Sequence, residues 1–286
     1  MRVEEFVKFV AERQLIFDRR AAGEAKPWTQ DRILQMYRFC NVQRENDTET
    51  IWIGKNWRDP NQKRPTLWFA LLVARFLNWH PTLAELQVKK VLQLDITHIR
   101  RVLFERAERG EKVFTGAYTV STNGISMNKI EYVCERVFEP AAEIAALHAP
   151  RAPWPTGATL EEVAGHLTLL PGLSTFMAGQ VVADLKYAGP YLNASDWWDF
   201  AVPGPGSKRG MNRVFNRDVE AGWPRDSWRN AMQDLRSALD RPLRRELGYG
   251  LKLHAQDVQN CLCEFDKYER VRLGEGKPRS TYNGRF

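Results

Sequence analysis

The sequence predicts a mainly α protein, and three observations carry that prediction. Apolar residues recur at three-to-four spacing along most of the 286 residues. Capping residues and glycine or proline stops bracket those periodic runs. The alternating β-branched pattern of a strand is confined to one stretch, VFTGAYTVSTNGIS at 113–126.

Taken in order, residues 1–22 form a helix on the recurrence of Phe6, Phe9, Val10, Arg13, Ile16 and Phe17, closed by Gly23 and Pro27. A second helix starts near Thr29 as N-cap and carries Ile33, Leu34, Met36, Tyr37 and Phe39. A third covers 47–57, and a Pro- and Lys-rich loop follows at 58–65. TLWFALLVARFLNW at 66–79 is the most apolar helix and reads as a core element. Further helices follow Pro81 and span 95–110, the second of them strongly charged. The 113–126 stretch reads as a small extended excursion turning at Asn123-Gly124. Helix returns at 127–147. HAPRAPWPTGAT at 148–159 is a Pro-rich connector and marks a possible division into 1–150 and 151–286 of an otherwise single domain. Thr159-Leu160-Glu161-Glu162 opens the next helix, 225–247 is helical and basic, and the last helix runs from about Ala255 to Leu273. The polar tail GEGKPRSTYNGRF is left to move or to lie on nucleic acid.

Composition sets the class. A hydrophobic share of 43% and ten Trp suffice for a core. A mean hydropathy of −0.48 and the lack of an 18-residue apolar run exclude a spanning helix. The N-terminus is amphipathic and lacks the apolar centre of a secretory signal. Cys40, Cys134, Cys261 and Cys263 form no C-x-x-C pair, which fits a reducing cytosol and argues against a zinc ribbon. The net charge of +7, with a pI near 9.3, is spread along the chain and points to an anionic partner, nucleic acid before others.

Between 167 and 214 lie two glycine turns, around Gly172, Ser174 and Thr175 and around Gly204, Gly206 and Ser207. Each precedes a run suited to opening a helix, whose first N–H groups lack intrahelical partners and attract anions. With Lys208 and Arg209 behind the second turn, these residues are expected to hold flanking DNA phosphates. The plain alternative is a pair of ordinary loops closed by Pro and Gly. Asp184, Asp196 and Asp199 lie between them. No G-x-x-x-x-G-K-[ST], H-E-x-x-H, H-x-E…C-x-x-C or G-x-S-x-G occurs, which removes the corresponding kinase, zinc-enzyme and serine-hydrolase classes. His80, His98, His148, His166 and His254 show no pairing and read as structural.

The last helix is the second informative stretch. Asn260, Glu264 and Lys267 share one face at i, i+4, i+7, with Asp257, Cys261 and Glu264 on the adjoining one. Val258, Leu262 and Phe265 imply partial burial, and buried charges need partners. The cluster reads equally as a site or as scaffold. Near the N-terminus, Arg13, Arg19, Trp28, Asp31, Asn41, Arg44 and Asp47 form another constellation, in which Arg forks suit phosphate and Trp28 suits stacking on a base.

Four motifs in this order, PWT-x-DRIL-x-x-YRFCNV-x-RE-x-D within 12–47, PGL-x-x-FMAGQV-x-x-DL-x-Y at 171–187, PGPGS-x-RG at 203–210 and D-x-QNCLCEFDKY within 257–279, resemble the phage α-glutamyl/putrescinyl thymine pyrophosphorylases, or amino acid:DNA transferases. The helical domain attached to 5-hydroxymethyluracil DNA kinases is similar. The resemblance covers nearly the whole chain. It implies a DNA-glycosylase-like helix-hairpin-helix fold, a phage-encoded protein in the host cytoplasm, and double-stranded phage DNA carrying modified uracil as partner. The implied reaction transfers an amine, from an amino acid or polyamine, to the 5-methylene of pyrophosphorylated 5-hydroxymethyluracil and displaces pyrophosphate. A kinase relative needs a phosphate-loop domain, and these residues contain none.

On that chemistry Asp184 is the first expectation for the base that deprotonates the amine, with Glu264 second. Lys267, Arg44 and Arg13 are expected to hold pyrophosphate. Gln259 and Asn260 are expected to read the uracil edge, with Asn41, Gln180 and Trp28 also contacting substrate. Mg2+ is an optional aid, and no ligand set for it is visible. Two rivals remain, a helix-hairpin-helix glycosylase acting on a modified pyrimidine and a non-catalytic DNA-binding module.

Overall fold

The computed structural model describes residues 2–115, 122, 124–278 and 281. Helices dominate, and among the described residues no strand forms; an isolated antiparallel bridge joins Tyr37 to Thr281. The expected excursion at 113–126 falls largely on residues 116–121 and 123, outside the described residues, as does most of the tail beyond 278. No helix is long and apolar enough to cross a membrane.

The chain divides into two compact units, one made of 1–47 with 198–286 and the other of 48–197. The Pro-rich connector at 148–159 therefore lies inside the second unit.

In the first unit, helix Val3–Ala21 follows the predicted stripe and buries Phe6, Phe9, Val10 and Arg13. It packs with helix Arg225–Leu247, which buries Trp228, Met232, Leu235 and Leu239, and with helix Ala255–Arg272, which buries Val258, Leu262 and Phe265. Phe265 is the shared contact, its ring 5.3 Å from Phe6 and 5.4 Å from Phe9. Each such aromatic or Leu side chain stabilises by about 1.5–3 kcal/mol when fully buried.

Helix Pro205–Val214 runs against the last helix, and its glycines explain how closely. A Cβ on Gly210 would stand 2.0 Å from the carbonyl oxygen of Leu262, and one on Gly206 would stand 2.5 Å from Cys263 Sγ. The spacing Gly206-x-x-x-Gly210 thus serves backbone approach. The predicted second helix is shorter than its periodicity suggests. Asp31, not Thr29, caps it by accepting from Ile33 N and Leu34 N, and it spans only Arg32–Met36. Tyr37 is extended, and residues 37–47 continue as a strap across the last helix.

In the second unit, helix Leu67–Leu77 is buried along its length and packs with helix Thr175–Leu185. Thr159, read as opening the next helix, closes a capping box with Glu162 at the head of helix Leu160–Leu167. A turn at 168–174 links that helix to Thr175–Leu185, and Gly172 takes φ +74°, a backbone that side chains resist. Leu169 in that turn is 80% exposed.

Candidate functional site

The candidate site lies in the first unit, where the last helix, the strap and the first helix meet. The last helix faces the strap with polar side chains that reach backbone. Lys267 Nζ donates to Arg38 O at 2.9 Å, and Glu264 Oε2 accepts from Cys40 N at 3.1 Å. Asn260 Nδ2 donates to Asn41 O at 3.1 Å, and Asp257 Oδ1 accepts from Arg44 N at 3.0 Å. The predicted i, i+4, i+7 row is therefore a clamp, each rung meeting the next segment of an extended chain that has no sheet to satisfy it. Lys267 also pairs with Glu264 at 2.5 Å and sits 4.6 Å over the Phe39 ring. Asn41 is fixed within the strap, its N–H on Asp47 Oδ1 at 2.9 Å and its amide on Asn46 O at 2.7 Å. Burial raises the Asp47 carboxyl above its ordinary range against the pull of that Asn41 N–H.

On the other side of the strap a cavity of about 380 Å³ opens against the first helix. Arg13, Ile16, Phe17 and Arg20 line it at i, i+3, i+4, i+7 of that helix. Lys26, Pro27, Trp28 and Thr29 form a second wall, and Tyr37, Phe39, Cys40 and Asn41 of the strap a third. Among the described residues no carboxylate lines it. Arg13 is 5% exposed, donates from Nη2 to Cys40 O, and places Nη1 3.5 Å from Cys261 Sγ. Burial pushes the Cys261 thiol up to about 11, so it is neutral at neutral pH.

Of the residues singled out in the sequence, Arg13, Trp28, Asn41, Arg44, Gln259, Asn260, Glu264 and Lys267 all fall in this unit, with Arg13, Trp28 and Asn41 on the cavity itself. Gly204, Gly206, Ser207, Lys208 and Arg209 are in the same unit on the helix packed against the last one. Several of these are already engaged. Ser207 Oγ accepts from Gly204 N at 2.9 Å and returns a bond to Gly204 O, Gly206 abuts Cys263, and Arg209 pairs with Asp266 at 2.9 Å.

Asp184, Gln180, Gly172, Ser174 and Thr175 belong to the second unit. Asp184 is 1% exposed, and Arg75 grips both its oxygens, Nε to Oδ2 at 2.5 Å and Nη2 to Oδ1 at 2.6 Å. Asn78 and Thr50 satisfy the remaining donors of that guanidinium at 2.9 and 3.1 Å. This geometry makes Asp184 the counter-ion of a buried arginine, with both oxygens spent. Ser174 caps its helix by accepting from Met177 N at 3.3 Å, beside an exposed Thr175.

Sequence reasoning passed over Arg20, Lys26, Phe39 and Cys40 on the cavity. Arg20 was within reach of it, because the stripe Arg13–Ile16–Phe17 continues to position 20 at helical spacing. Lys26 and Cys40 come from irregular chain whose course no periodicity encodes.

The family described as 5-hmdU DNA kinase, helical domain, matches residues 1–278. Among curated proteins the chain is similar to the 5-hmdU DNA kinase of Bacillus phage SP10, 28% identical over 231 residues that make up 73% of this chain and 35% of the kinase. It thus spans about a third of the length of that relative. No solved structure matches it. With nearly every residue of the chain inside the match, this protein belongs to the family of the 5-hmdU DNA kinase helical domain.

Proposed function

We propose that this chain acts in thymine hypermodification of phage DNA as a transferase. It places an amine on the 5-methylene of a pyrophosphorylated 5-hydroxymethyluracil in the duplex. The C–O bond to pyrophosphate breaks, a C–N bond forms, and the ammonium proton passes to a base. One observation carries the reading. The family match runs through residues 1–278, whose relative is named for 5-hmdU in DNA, and those same residues hold an aromatic-walled, cation-lined cavity.

The net charge of +7 suits a DNA partner. The target nucleotide is flipped from the stack, at a cost of a few kcal/mol. Trp28 and Phe39 offer it apolar faces. The exposed turn at 168–174, with Gly172, Ser174 and Thr175, is read as a hairpin that grips backbone phosphate in the helix-hairpin-helix manner. Glu264 replaces Asp184 as the base, because Asp184 is consumed by Arg75 in the second unit whereas Glu264 stands behind the strap wall and passes its proton on through its partner Lys267.

The test is direct. Duplex DNA carrying the pyrophosphorylated base is incubated with the protein and a mixture of amines, then digested to nucleosides for mass spectrometry. The expected product is one amine adduct per pyrophosphate released. Abasic sites in place of adducts would establish a glycosylase, and tight binding without turnover a recruiting module.

A further inference from the structure

We propose that Arg13 seats an oxyanion, either a diphosphate or a carboxylate, borne by a small molecule with a flat or apolar body held in the first-unit cavity. The identity of that molecule rests on the transfer reading above; the anion site itself rests on geometry.

A guanidinium taken out of water needs a compensating charge. The other buried arginines have one. Arg75 holds Asp184 at 2.5 Å, Arg213 holds Asp266 at 2.9 Å, Arg106 holds Glu111 at 2.9 Å, Arg58 holds Asp59 at 2.7 Å, and Arg44 lies 3.5 Å from Glu45. Arg13 is the exception among the described residues, with no carboxylate within 4.0 Å. Its contacts are a carbonyl, a neutral thiol and the Phe9 ring at 5.1 Å, and its Nε has no hydrogen-bond partner.

Arg13 borders the cavity with no carboxylate in contact, Asp47 attracting it only from a distance, and the lining adds positive charge. Arg20 and Lys26 join Arg13 on the wall, and the described lining residues include no Asp or Glu. The remaining walls are apolar, from Ile16, Phe17, Trp28, Leu34 and Phe39. A volume of about 380 Å³ falls in the range of small-ligand sites. A diamine would bring a second cation into this lining and is disfavoured by like charge. A bound oxyanion supplies what Arg13 lacks.

The experiment uses the full chain without DNA. Inorganic pyrophosphate, glutamate and putrescine are titrated separately by calorimetry and followed by thermal shift. At least one of the first two is expected to bind and raise Tm, and putrescine to do neither. Pyrophosphate alone assigns the site to the leaving group, glutamate alone to the carboxylate of the amine donor, and binding of both to an oxyanion seat shared by the two. Arg13→Gln is expected to weaken binding by about 10- to 100-fold, as for loss of a hydrogen bond to a charged group. Lys26→Gln, at an exposed position, weakens it less and serves if the Arg13 variant does not fold. Failure of both oxyanions to bind at millimolar concentration overturns the proposal, as does wild-type affinity in Lys26→Gln and every folded Arg13 variant. Anion binding without amine transfer on DNA removes the reaction and leaves the site; transfer without anion binding does the reverse.

Discussion

Asp184 and Arg13 are both buried charges on helices, and their surroundings give them opposite uses. Asp184 has both oxygens on Arg75, whose other donors reach Asn78 and Thr50, so the network is closed. Breaking a buried pair by deleting one partner strands the other, at about 3–5 kcal/mol. Asp184→Ala is therefore expected to lose that much stability in chemical denaturation, while Arg75→Met combined with Asp184→Leu recovers most of it. A single variant within about 1 kcal/mol of wild type would show that the pair is not structural. Arg13, by contrast, is left with a carbonyl, a thiol and an open bond. That is the difference between a charge closed into the fold and the one proposed above to seat a ligand.

At the scale of elements, the last helix works through its side chains on a segment with no regular structure. Asp257, Asn260, Glu264 and Lys267 meet the strap at Arg44, Asn41, Cys40 and Arg38, so the helix and the strap run in opposite directions along the clamp. Cys40 is exposed, so its N–H exchanges with water once Glu264 no longer accepts from it, and the strap has no sheet partner to replace that bond. Glu264→Ala is expected to speed amide hydrogen exchange at Cys40 about tenfold or more, while amides of helix Arg225–Leu247 keep their protection. Unchanged exchange at Cys40 would mean that the clamp does not hold the strap. The neighbouring helix Pro205–Val214 depends on a different device, since Gly206 and Gly210 let it approach Cys263 and Leu262 where any side chain would collide. Of the two, Gly206 read in the sequence as part of a phosphate grip, and its packing on Cys263 already accounts for it.

For the whole molecule, the positive balance is the feature that bears on DNA. Much of it is internally paired, Arg209 with Asp266 and Arg213 with Asp266 and Glu275 among others. Lys208, partly exposed on the same helix, is a cleaner probe than Arg209, whose replacement would also strand Asp266. Lys208→Glu is expected to reduce the slope of log affinity against log salt for duplex DNA by about 1 if it meets a phosphate. An unchanged slope would place the DNA elsewhere on the surface.

The helical class, most helix positions, the helix start at Thr159 and the kinship to the 5-hmdU DNA kinase helical domain were legible in the residues alone, because helix periodicity and caps are local and motifs are linear. So was the polar row of the last helix, though not its purpose. The early end of the helix at Met36, the pairing of Asp184 with Arg75, the packing duty of Gly206 and the lack of a contacting carboxylate at Arg13 among the described residues were not legible. Each depends on a partner brought near by folding, at sequence separations such as the 109 residues between Arg75 and Asp184. Local pattern determined which side chains stand on which helical face; tertiary packing alone decided which buried charges meet a carboxylate in contact and which do not.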